Sequence, residues 1–161
     1  MTERAAGDVE SEALGLAAVP CLPELLDAVV RLLPFARDAA FSFLDLGSGS
    51  GVLAATLLMH FVNARAVLLE ESAGLRAAAT QRLAQFADRI EIAPIAFARE
   101  PLPRGFGAVV TLFGLHGLED IARRGVYREV YGALQPEGAF LAAEWIRPPT
   151  HGIRSEEHTS E

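Results

Sequence analysis

Phe41, Phe43, Leu44 and Leu46 form a short apolar run that carries one acid, Asp45, and ends at glycines 47, 49 and 51. A helical pattern begins directly afterwards at Val52. Glycine has no Cβ and tolerates positive φ, so a strand that turns through three glycines into a helix lets a flat polar ligand touch main chain. The helix start adds free N–H groups at the same point. Such a junction needs a parallel neighbour on the far side of its crossover helix, which commits the chain to alternating strands and helices.

The rest of the chain follows that alternation. A helix is predicted over Pro23–Ala36, with Leu25, Leu26, Val29, Leu32 and Leu33 at helical spacing. Strands are predicted at Phe41–Leu46, Ala64–Glu70, Arg89–Ile95, Gly107–Phe113 and Ala139–Ile146, the last after a sharp turn at Gln135-Pro136-Glu137-Gly138. Crossover helices fall at Val52–Phe61, at Ala73–Ala87 behind a Ser72 cap, and from Glu119 or Asp120 to Leu134. The expected fold class is α/β: a doubly wound, Rossmann-like parallel sheet in three αβα layers, with right-handed crossovers. Residues 1–12 are acidic and poor in hydrophobic side chains, and are expected to be a disordered lead to a domain at 13–148.

The glycine spacing is G-x-G-x-G, one residue shorter than the G-x-G-x-x-G that seats a dinucleotide pyrophosphate. A second acid, Glu70, closes the apolar run Ala66-Val67-Leu68-Leu69. This pairing resembles the first two motifs of the class I S-adenosylmethionine-dependent methyltransferases. Leu115-His116-Gly117-Leu118-Glu119-Asp120 is similar to that family's connector after strand four, and Leu134-Gln135-Pro136-Glu137-Gly138 to its turn into strand five. The resemblance covers roughly residues 20 to 148 and implies strand order 3-2-1-4-5, with strands six and seven missing. It implies S-adenosyl-L-methionine as cofactor and in-line methyl transfer to an acceptor.

Residue roles implied by the resemblance follow its motifs. Gly47, Ser48, Gly49 and Gly51 form the cofactor loop, Asp45 bonds the loop amides and orients the methionine amino group, and Glu70 accepts both ribose hydroxyls. Glu71, Phe97 and Phe113 complete the cofactor set, and His116 is the candidate catalytic base. Glu144 faces either the substrate or a crossover helix, Trp145 is expected in the core, and Arg123-Arg124 on a solvated helix face. Two positions depart from the pattern. Ala96 stands where an acid often holds the adenine amine, and Gly107 replaces an acid before strand four.

Composition narrows the partners. The net charge is −7 and all fourteen basic residues are arginine, so a small-molecule acceptor is favoured and nucleic acid disfavoured. The mostly apolar helix at 23–36 is expected to roof the substrate side. One cysteine, Cys21, and no long apolar span point to a reducing, cytoplasmic setting, and no metal site is expected. Arg154–Glu161 resembles an in-frame translation of a sequencing adapter, so 149–161 is expected to be non-native or disordered, and His151 and His158 carry no metal reading. Two rival functions share these features: a nicotinamide-dependent oxidoreductase fragment and a non-catalytic cofactor-binding domain.

Overall fold

The computed structural model describes residues 3–145. Its elements run α1 (Glu3–Ala17), α2 (Leu22–Leu32), β1 (Ser42–Leu46), α3 (Val52–His60), β2 (Arg65–Leu69), α4 (Ala73–Arg82), a 3₁₀ turn (Ala84–Arg89), β3 (Ile90–Ala93), β4 (Phe106–Leu112), α5 (Asp120–Ala133) and β5 (Leu134–Ala143). The five strands form one sheet in the order β3-β2-β1-β4-β5, every pairing parallel. The chain builds outward from β1 to β2 and β3, then returns to lay β4 on the other side of β1. The crossover helices diverge at that reversal and leave a crevice at the carboxyl ends of β1, β2 and β4.

Period-two alternation divides the core into two layers. Phe43 packs on one face of the sheet with Val29, Leu53, Leu57 and Leu83, while Leu44 and Leu46 pack on the other with Val126 and Val130. Both faces of β1 are therefore sealed, and Phe43, Leu44 and Leu46 are fully buried. This double cover explains why the strands read as near-continuous apolar runs.

Three expectations need correction. Residues 3–17 form helix α1, not a disordered lead, and the helix runs across the boundary expected at residue 13. The low hydrophobicity of this segment was weighed without its partners: α1 packs against α4, and Asp8 and Glu12, one turn apart, each find a hydrogen-bond donor. Secondly, the helix over the crevice is α1, whereas α2 packs against α3 and the core on one face of the sheet. Thirdly, Gln135–Gly138 is not a turn preceding β5 but an irregularity within it. Leu134 pairs with Phe106 and Ala139 with Ala108, so three residues loop out of the ladder, with Glu137 at φ 64. The tail at 149–161 and the end of the fifth strand at Ile146 lie outside the described residues.

The carboxyl end of α3 is held by a side chain from the 3₁₀ turn. The Arg89 guanidinium donates to the carbonyls of Leu58, Val62 and Ala64 at 2.9–3.1 Å and to Phe61 at 3.2 Å, and lies 4.9 Å from the Phe86 ring centroid. Four carbonyls, from the last turn and cap of α3 and the link to β2, thus share one cation. Arg89→Ala is expected to lower stability by about 3 kcal/mol, since charged hydrogen bonds contribute roughly 1.5–3 kcal/mol each and overlap here. Urea unfolding measures it, and Arg89→Lys should recover less than half because a point ammonium cannot span the four acceptors.

Candidate active site

The loop leaving β1 holds Gly47, Gly49 and Gly51 at φ 62, 55 and 80. A Cβ on Gly47 would stand 3.2 Å from the Phe97 ring and 3.3 Å from the Gly114 Cα, so the loop is tight against the turn after β4. A Cβ on Gly49 would collide with the Glu12 carboxylate. The loop amides are partnered from three directions: Ser48 N–H donates to the Leu69 carbonyl at 3.1 Å, Gly49 N–H to Glu70 Oε2 at 2.9 Å, and Ser50 N–H to Glu12 Oε1 at 2.7 Å. Arg82 of α4 donates to the Ser50 carbonyl at 2.9 Å. Glu70 Oε1 also accepts from Ser72 N–H at 2.8 Å, so one carboxylate joins the glycine loop to the start of α4.

These groups open onto a cavity of about 940 Å³. Among the described residues its lining includes five carboxylates, Asp8, Glu12, Asp45, Glu70 and Glu71, and no arginine. Glu71 is answered at the rim by Arg99, 2.9 Å away. Asp45 is not answered. It is 1 % exposed, and neither of its oxygens has a hydrogen-bond partner among the described residues. Burial, reinforced by the nearby Glu70 charge, pushes its carboxyl up to about 8. Ser48 Oγ is buried and unpartnered beside it. A buried polar group without a partner is costly, and a cationic ligand would relieve both.

The far rim is aromatic. Phe113 ends β4 at φ 58, a left-handed conformation that costs about 1–3 kcal/mol for a non-glycine residue. Its ring stacks on Trp145, with centroids 5.3 Å apart and planes 15° from parallel. His116 lies on the same rim, its Nδ1 paired with the Phe113 carbonyl. A carbonyl only accepts, so Nδ1 carries a proton and Nε2 of the neutral ring has a free lone pair. Glu144 Oε1 accepts from Leu115 N–H at 2.9 Å and braces this turn. Burial raises the Glu144 carboxyl, opposed by that N–H, His116 and Arg123.

Asp45, Gly47, Ser48, Gly49, Glu70, Glu71, Phe113 and His116 therefore line one cavity. Gly51 and Phe97 do not. Gly51 caps α3 against Leu83, and Phe97 supports Gly47 from behind. The expected bonds from Asp45 to the loop amides are absent, because Glu70 and Glu12 hold those amides. Trp145 is 59 % exposed at the cavity, not core, and Arg123 is partly buried, donating to the Leu118 carbonyl at 2.9 Å. Sequence reasoning missed Asp8, Glu12 and Trp145. Asp8 and Glu12 did carry a signal, since with Ser11, Gly15 and Leu16 they mark one helical face.

The family model described as "Methyltransferase domain" matches residues 43–138. The chain is 30% identical over 125 residues to ribosomal RNA small subunit methyltransferase H of Synechococcus sp. (strain CC9311), an alignment covering 77% of this chain and 40% of that protein. Among solved structures, an O-methyltransferase family protein from Burkholderia thailandensis superposes with TM-score 0.72 at 25% identity, over 86% of this chain and 42% of that one. The DhpI–SAM–HEP complex shares the fold at TM-score 0.70 and 20% identity, over 98% and 68% of the two chains. The chain thus spans about two fifths of the length of its curated relative.

The Asp45 carboxyl binds its proton more tightly folded than unfolded, so its contribution to stability falls as pH rises from about 4 to about 8. Asp45→Asn removes that slope. The variant should gain on the order of 3 kcal/mol relative to the native chain between pH 4 and pH 7, read from urea unfolding at both.

Proposed function

We infer the function from one premise: the chain belongs to the methyltransferase domain family. It binds S-adenosyl-L-methionine in the crevice of β1, β2 and β4 and directs the methyl group to a small-molecule acceptor. The observation that carries this reading is the charge of the cavity: among the described residues it is lined by five carboxylates and no arginine, and one of the five, the buried Asp45, has no partner. A ligand bearing a sulfonium and an ammonium suits those walls. The pyrophosphate of a nicotinamide dinucleotide would meet only like charge, which weighs against the oxidoreductase rival.

The residues present fit the cofactor. The glycine loop gives close approach of main chain, and Asp45 and Ser48 supply unused acceptors for an ammonium. Glu70 keeps lone pairs for ribose hydroxyls, because a carboxylate offers about four acceptor sites and the two main-chain N–H groups use two. Ala96 supplies no acid for the adenine amine, and the Ala96 N–H is bonded to Glu100 at 2.9 Å, so in this reading adenine is held mainly by packing. The lost bond lowers affinity by about tenfold or less.

The bound cofactor supplies an activated methyl group. The chain's own work is alignment and exclusion of water. In this reading Phe113 and Trp145 give the acceptor a flat apolar surface, and Nε2 of His116 takes the proton an attacking hydroxyl or amine loses, a role supported by the Nδ1 contact with the Phe113 carbonyl. This arrangement supports catalysis over simple binding. The donor-binding unit includes α1, and it suits the reducing, cytoplasmic setting in which the exposed thiol of Cys21 persists. A ribosomal RNA acceptor is a second reading, favoured by the name of the curated relative. The acidic cavity and the net charge weigh against it.

Calorimetric titration with S-adenosylhomocysteine, beside NAD, tests the donor. Binding of the first but not the second is expected, and Glu70→Ala or Glu70→Gln should weaken it by at least about tenfold. NAD binding, or undiminished affinity in both variants, overturns the assignment. Methyl transfer from labelled donor to RNA but not to hydroxylated or amine metabolites would instead select the second acceptor. Affinity should also climb with pH between about 6 and 8, by up to tenfold per unit, because holding an ammonium requires Asp45 to release its proton.

A further inference from the structure

Ser50 N–H, in the glycine loop one residue before the Gly51 cap of α3, is already occupied by an anion from the same chain. Glu12 Oε1 accepts from it at 2.7 Å, and the carboxylate lies directly over Gly49, where a Cβ could not fit. Asp8, one turn earlier on α1, holds the same helix down through Ser72 Oγ at 2.6 Å. The same cavity holds the other half of the arrangement: the buried Asp45 carboxyl, with no hydrogen-bond partner among the described residues. The Glu12 carboxylate seated on that amide and the unpartnered Asp45 carboxyl line one cavity, and together they form a receptor for an α-amino acid group with its anionic half filled from within.

We propose that Glu12 is a built-in competitor for the amino-acid end of the methyl donor, its side-chain carboxylate occupying the Ser50 N–H that the ligand's carboxylate takes. The proposal rests on the donor reading above. Its physical content is a preoccupied site: apparent affinity is reduced by the fraction of molecules in which the amide is taken. Donor binding breaks the Glu12 contact, leaving Asp8–Ser72 as the only one of the two hydrogen bonds that holds α1. The helix then loosens as the donor enters. A lid that clamps the ligand would behave in the opposite sense, with Glu12 contributing to affinity and α1 becoming more ordered.

Three ligand measurements on the full chain separate these behaviours. Titrate the native protein, Glu12→Ala and Glu12→Gln with S-adenosylhomocysteine and with 5′-methylthioadenosine, which lacks the amino-acid group. Glu12→Ala should bind S-adenosylhomocysteine about tenfold more tightly, Glu12→Gln should gain less because its carbonyl still accepts from Ser50, and 5′-methylthioadenosine should be unaffected. Hydrogen exchange over residues 3–17 of the native protein should speed up on adding S-adenosylhomocysteine. Unchanged or weakened binding in both variants, equal tightening for the two nucleosides, or slower exchange in α1 overturns the proposal while the donor reading stands. If neither nucleoside binds any of the three proteins, the donor reading falls and this inference with it. Glu12 is a half-exposed helix residue, so both variants retain the fold, and circular dichroism on each verifies it.

Discussion

The Glu70 carboxylate is the joint on which the crevice depends. One oxygen holds Gly49 N–H and the other Ser72 N–H, so the loop after β1 and the turn after β2 are fixed to each other by a single side chain. Both segments carry main-chain donors that no strand or helix satisfies, and a carboxylate at the end of β2 satisfies one from each. Arg82 draws the same loop from the other side through the Ser50 carbonyl. The loop is therefore held before any ligand arrives, which lowers the ordering cost of binding.

Against that firm frame, Asp45 is the strained element. The parallel sheet buries its side chain where no described residue partners it, and the Glu70 charge that organises the loop makes ionisation there harder still. Joint and strain belong together, because the same crevice collects negative groups that repel one another, and a cationic ligand of the kind proposed would relieve that repulsion.

Fold class, strand order and the part of the cavity lining at the ends of β1, β2 and β4 were legible in the sequence because each rests on short-range rules. Alternating apolar runs placed β1 to β4 within a residue or two, and the spacing of Asp45, the glycines and Glu70 placed them at neighbouring strand ends. What escaped depended on contacts distant in the chain. Helix α1 is weakly hydrophobic, and its stability comes from docking on α4 and the glycine loop, which no local window contains. Trp145 looked like core by residue type, yet its stacking partner Phe113 turns through positive φ and meets it at the rim. Phe97 was placed in the cofactor set, but the closeness of Gly47 to the β4 turn puts its ring behind the loop.

The looped-out residues in β5 have a consequence for handedness of placement. Three is an odd number, and side chains along a strand change sides at every step. Everything after Gly138 thus presents the opposite face to the one an unbroken ladder from Leu134 would have shown. Glu144 reaches the Leu115 amide and Trp145 reaches Phe113 only by virtue of that parity. Removing or adding one residue in the stretch would leave the ladder bonds countable as before while exchanging inside for outside at the aromatic rim.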